Sequence, residues 1–94
     1  MIIRFVKLEI HSDHINDFKQ LTENEKAEII AFEGCSYLKV LQDQSNSNVF
    51  FTVSHWESIS ALNNYRNSDF FRGNWNRVKQ WFINQPEAWS LSDI

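Results

Sequence analysis

Apolar and polar positions alternate through residues 2 to 10, IIRFVKLEI. That period places Ile2, Arg4, Val6, Leu8 and Ile10 on one face of a strand and Ile3, Phe5, Lys7 and Glu9 on the other. Ile3 and Phe5 make the second face apolar as well, at least at its start. Beyond Ser12 the period lengthens: Ile15, Phe18, Leu21 or Thr22, and Ile29 recur at helical spacing, while Lys19, Glu23, Lys26 and Glu28 fall on the wet side. The pattern predicts a helix over 13–31, capped by Ser12, with Asp13 and Asp17 in the first turn where the helix dipole favours carboxylates. Gly34 then suits a left-handed helix exit. CSYLKVLQD, 35–43, reads as a second strand. QSNSN reads as a hairpin loop, since Asn and Ser side chains mimic backbone turns, leading into a third strand over 48–56.

From Asn48 to Phe71 strand period passes into helix period at Trp56, and the rest of the chain packs around that corner. Ser58 caps a short helix with Ala61, Leu62 and Tyr65 inward. Asn67 interrupts it, and Ser68 with Asp69 recaps a segment over 69–84. There Phe71, Trp75, Val78 and Phe82 form one ridge flanked by Phe70 and Trp81. Pro86 ends the helix, and AWSLSDI can supply a last strand. The order βαββαβ predicts an α+β, ferredoxin-like fold, with an antiparallel sheet carrying its helices on one face because each crossover returns right-handed.

Size and composition sharpen this. A chain of 94 residues is one domain, 1–94, and one this short hides only about 60–65% of its unfolded surface. Eight Phe and four Trp exceed what so small a core can bury. The surplus predicts a second copy: two bare sheet faces, with Phe5 on each, close against each other into a barrel. A net charge of −3 with scattered cations offers no stripe for phosphates and argues against nucleic acid as a partner. The single cysteine forms no internal disulfide. MIIRFVKLEIHSD holds no apolar run able to export or span, so no membrane association and a cytoplasmic location are expected.

FEGC before a strand, then NVFFTVSHWES, the Ala-Leu pair, Tyr65, NSDFF and Trp75 together resemble the antibiotic biosynthesis monooxygenase (ABM) domain of the dimeric α/β barrel superfamily. The resemblance spans nearly the whole chain and is densest over SHWESISALNNYRNSDFF. It implies a homodimer of ferredoxin-like subunits, each with a ligand cleft between its sheet and its second helix. It also implies one of several uses: cofactor-independent oxygenation of phenols and quinols, haem degradation, or a binding module without settled activity. Haem-degrading members look to a His on the second helix, an aromatic one helix segment earlier and an Asn on the first strand. The matching positions here carry Trp75, Tyr65 and, near the strand site, Val6 flanked by Phe5 and Lys7. With iron left without an axial ligand, haem chemistry falls behind.

The leading expectation is therefore a cofactor-independent monooxygenase acting on a small phenolic or quinol-like substrate. The alternative is a non-catalytic small-ligand-binding or stress-associated dimeric module. Substrate walls are expected from Trp56, Tyr65 and Trp75 with Ser54 and Tyr37, and the catalytic candidates are His55, Tyr65 and Arg4.

Each has a plainer role to weigh. His55 can simply bond to backbone, Trp56 can plug the sheet corner, and Ser54 can bond across the ladder. Arg4 can sit in a salt bridge, and Cys35 reads as a buried small hydrophobe. His11 and His14 read as solvated, and the three histidines share no face at metal-ligand spacing, so no metal is expected.

Overall fold

The computed structural model describes residues 1–94. Strand β1 runs Ile2–Glu9, helix α1 Ile15–Ile30, β2 Cys35–Gln42, β3 Val49–Trp56, α2 Ile59–Arg66, α3 Asp69–Val78 and β4 Glu87–Leu91. The strands form one sheet in the order β2-β3-β1-β4, antiparallel throughout. This is the ferredoxin-like arrangement that the element order predicts.

Register fixes what each face carries. Arg4 lies between Ser54 on β3 and Ser90 on β4, and Val6 lies between Thr52 and Ala88. Leu38 and Val40 of β2 continue these two rows beyond β3. All of these residues point toward the helices, which cover that face alone. On the other face, Phe5 sits between Val53 and Trp89, with Tyr37 opposite His55.

Two buried clusters hold the covered face. Leu8, Ile10, Phe18, Leu21, Phe50 and Val78 fill one end, with the Phe18 and Phe50 rings tilted at 4.7 Å. Trp56, Ala61 and Leu62 fill the other. Trp56 is fully buried, and its Nε1–H donates to Ser54 Oγ at 2.9 Å, so the indole loses water without losing its bond.

Helix ends depart from expectation in two places. Ser12 does not cap α1; residues Ser12–His14 form a 3₁₀ turn, and no side chain caps either helix start there. Its hydroxyl accepts instead from Asn48 Nδ2, which also donates to Ile10 O. Asn48 thus ties the start of β3 to the end of β1, and that tie takes the cap. The last helix is also shorter than 69–84: α3 ends at Val78, a 3₁₀ turn spans Lys79–Trp81, and Phe82 is extended. There Phe82 bridges to Ile10, His11 N–H donates to Trp81 O, and Ile83 N–H donates to Glu9 O. Backbone groups at the end of β1 capture the chain and satisfy it better than another helical turn would.

The remaining predicted ends match. Ser58 Oγ accepts from Ala61 N–H and Ser68 Oγ from Phe71 N–H, both at 3.1 Å. Gly34 has φ +86°, and a Cβ there would stand 2.5 Å from Ala61 Cβ. Glycine is needed twice over, for the left-handed turn and for the approach of α2.

Candidate functional site

Between the two core clusters the covered face stays open. A cavity of about 410 Å³ lies there, and 13 of its 21 lining residues are hydrophobic. Its size and character are those of a small-ligand site. The sheet supplies the floor, with Arg4, Val6, Leu38, Val40, Thr52 and Ser54. Helix α1 supplies one wall through Leu21, Thr22, Glu25 and Ile29, and the other comes from Tyr65 and Arg66 on α2 with Phe71, Asn74 and Trp75 on α3.

The aromatic wall is a continuous stack. Trp56 and Tyr65 lie 5.0 Å apart at 24°, Tyr65 meets Phe71 edge-on at 5.1 Å, and Phe71 and Trp75 stack at 5.7 Å and 12°. Each ring fixes the next, so Tyr65 and Trp75 face the cavity with little freedom to turn. Trp56 does not reach the cavity; it backs Tyr65 from behind. Ser54 lines the cavity, but its hydroxyl already receives the Trp56 indole.

The expected set divides along the pleat. Arg4, Ser54, Tyr65 and Trp75 come together at the cavity. Tyr37 and His55 do not: odd positions of β3 and their β2 partners face away, and the two rings stack on each other at 4.5 Å on the bare side of the sheet. Neither is placed to touch a ligand held under the helices. Arg4 is also not salt-bridged. The two ion pairs in the structure are His14–Asp17 and Lys26–Glu23, and Arg4 Nη1 donates only to Ser90 Oγ, at 2.9 Å.

Burial sets the protonation of the site. The Tyr65 phenol is pushed well above its ordinary value, first by desolvation and then by the electrostatic influence of Cys35 and Glu25 nearby. It therefore keeps its proton and can donate a hydrogen bond from an apolar wall. Desolvation also pulls Arg4 down from its ordinary value, and the neighbouring Arg66 adds to this. Cys35, packed against the Trp56 cluster, is pushed up by burial and stays a thiol.

Residues not anticipated at the site are Arg66, Glu25, Thr22, Thr52 and Asn74. Thr52 was within reach, since it shares the period-2 face of Ser54. Arg66, Glu25 and Asn74 sit on helical positions that the apolar stripe leaves polar, and only the crossing of helices over the sheet brings them inward.

The sequence pattern of the antibiotic biosynthesis monooxygenase family matches residues 1–73. The chain belongs to this family. Solved structures agree in fold. This ABM protein superimposes on a conserved protein from Methanosarcina mazei Go1 with a TM-score of 0.92 at 20% identity, covering 100% of this chain and 94% of that one. For a structure named antibiotic biosynthesis monooxygenase the TM-score is 0.93 at 13% identity, covering 100% and 99%. For a Mycobacterium tuberculosis protein it is 0.90 at 13% identity, covering 99% and 94%. No curated protein matches the sequence. At these identities the likeness concerns the fold.

The haem chemistry implied by one branch of the ABM resemblance finds no ligand set in the cavity. No His, Cys or Met lines it, Trp75 and Val6 stand where the ligand and the strand Asn would be needed, and Tyr65, its one phenol, holds its proton. The residues do not fit an iron porphyrin.

Proposed function

We propose that this ABM protein is a cofactor-independent monooxygenase acting on a small, planar phenolic or quinol-like substrate in a homodimer. The observation that carries the reading is an open apolar cavity bordered by Tyr65, Trp75 and the unpaired Arg4. A closed interior would have spoken for a packing module instead.

In this reading the substrate is the reductant. A phenol plus dioxygen gives a quinone plus water: one oxygen atom enters the ring, the other leaves as water, and all four electrons come from the substrate. Deprotonation makes the ring electron-rich enough to react, and a guanidinium facing an apolar cavity favours the phenolate strongly because little water screens it. Arg4 takes that role. With His55 on the other face, Glu25 is the one carboxylate lining the cavity and is the proton acceptor within the site. Tyr65, held neutral, donates to oxygen as it gains negative charge.

The bare sheet face supports the dimer. Tyr37, Leu41, Trp89 and Leu91 leave 38–44% of their surface in water, an apolar load that a second copy would cover. No helix is long and apolar enough to cross a membrane, and a reducing cytoplasm suits the free Cys35.

Oxygen uptake with a panel of hydroquinones and naphthols, set against their autoxidation, tests the activity. Uptake should saturate with substrate and fall at least about ten-fold in Glu25→Gln and Tyr65→Phe, the size expected for a lost proton-transfer or oxyanion-binding group. Background-level uptake across the panel would leave a binding module as the reading.

A further inference from the structure

Arg4 and Arg66 both line the cavity, and neither has a carboxylate within salt-bridge distance. Their charges are close enough for Arg66 to disfavour the Arg4 cation. Two unneutralised guanidinium groups lining one cavity are unusual in a chain that carries 12 acidic side chains against 9 basic ones. Arg4 is half-buried on the sheet floor, where an uncompensated charge is costly unless something anionic arrives. Its one polar contact, Ser90 Oγ on β4, holds a single Nη1–H and leaves the rest of the fork free. Arg66 stands exposed at the last turn of α2 beside Tyr65, at the rim.

Glu25 also lines the cavity, from α1, but it forms no ion pair with either arginine. Its field acts on the Tyr65 phenol, whereas the charge acting on Arg4 is that of Arg66. Glu25 thus leaves both guanidinium groups without an ion-pair partner.

We infer that the unpaired Arg4 and Arg66 of the cavity bind a carboxylate carried by the substrate, so that the ligand class is a planar hydroxyaryl carboxylate and not a neutral phenol. Resting on the functional reading above, this narrows its substrate. A single phenolate oxygen needs only one guanidinium. A carboxylate beside it supplies further acceptor lone pairs, which a second planar fork can take in pairs. The ring lies against Trp75 and Tyr65, and the carboxylate faces the rim, where Arg66 meets it on entry.

The test compares 3-hydroxy-2-naphthoate with 2-naphthol, which share ring and phenol and differ by a carboxylate beside the phenol. Binding is read at neutral pH by calorimetry and by quenching of tryptophan fluorescence. The naphthoate should bind about ten-fold or more tighter in the wild type, as expected for a charge-assisted pair in a sheltered site. That preference should shrink to about two-fold or less in Arg66→Gln and in Arg4→Gln, survive in part in Arg66→Lys, and weaken with salt. Arg66 is exposed, so its variants fold even if Arg4→Gln does not.

Equal affinities in the wild type, or a preference that persists in Arg66→Gln, would overturn the inference. Oxygen uptake separates it from the broader reading. Naphthoate preference without turnover keeps the carboxylate site and removes the oxygenase, whereas turnover of 2-naphthol without any preference does the reverse.

Discussion

The two faces of the sheet are made by the same strands and have opposite fates. Along β3, Phe50, Thr52, Ser54 and Trp56 point under the helices, and Val49, Phe51, Val53 and His55 point away. The covered face is packed at both ends and open in the middle, where polar groups gather. The bare face has almost no polar work to do: Phe5 packs against Phe51 at 5.5 Å and Trp89 at 6.4 Å in a patch with no helix over it. A strand thus separates the cavity from the bare apolar patch by residue parity alone, and a one-residue slip would exchange the two faces.

The sharpest way to break this comparison is to charge the bare face. If the bare face closes the proposed homodimer, Phe5→Asp should leave a monomer, read as mass by light scattering at micromolar protein. An uncompensated charge buried at an interface costs about 3–5 kcal/mol, and in a two-fold interface it is met twice. Ligand binding under the helices should persist, because Phe5 does not line the cavity. A dimer that survives the substitution, or a wild type that is already monomeric, would show that the apolar face is not the interface.

The second effect belongs to the covered face. Trp56 is fully buried and backs Tyr65, so Trp56→Ala should cost about 3–5 kcal/mol in urea unfolding and loosen the cavity wall as well. Trp56→Phe keeps most of the volume but strands Ser54 Oγ without its donor, and should cost about 1–2 kcal/mol. If the alanine variant lost less than the phenylalanine one, the ring would not be the strut between core and site that its stacking indicates.

A smaller effect appears only at alkaline pH. Tyr65 has a folded value raised above the ordinary 10.0 of a phenol by burial. The unfolded chain therefore releases this proton first, and stability that is full below that pH declines as pH rises through it toward the folded value. Tyr65→Phe should flatten this part of the stability profile while leaving its neutral part nearly unchanged in slope. An identical alkaline decline in the variant would mean that the phenol is not shielded.

How far the sequence foretold this follows from which interactions are local. Strand periods, the Ser58 and Ser68 caps and the Gly34 turn depend on a few neighbours and could be read directly. The Ser12 cap and the end of α3 could not, because Asn48 and the backbone of Glu9 and Ile10 compete for those groups from distant positions. At the site, Arg4, Ser54, Tyr65 and Trp75 emerged from face and family pattern. Arg66 and Glu25 did not, because their relevance depends on how helices cross the sheet, and no period in the sequence reports that angle.

His55 measures the separation of the faces most finely. By residue type it is the natural base of this chain, and by register it is on the side that the cavity does not touch. Its ring is committed to Tyr37, a contact that an interface would bury further. His55→Ala should therefore change naphthol binding and oxygen uptake by no more than about two-fold, the range of substitutions remote from a site. It should instead weaken self-association modestly, by about 0.5–1.5 kcal/mol for a lost aromatic pair. A large fall in uptake with association intact would place the base on the bare face and make the partner subunit part of the reaction. No change in either would leave the Tyr37 stack as surface decoration. Only the expected pattern, uptake kept and association weakened, assigns this imidazole to assembly.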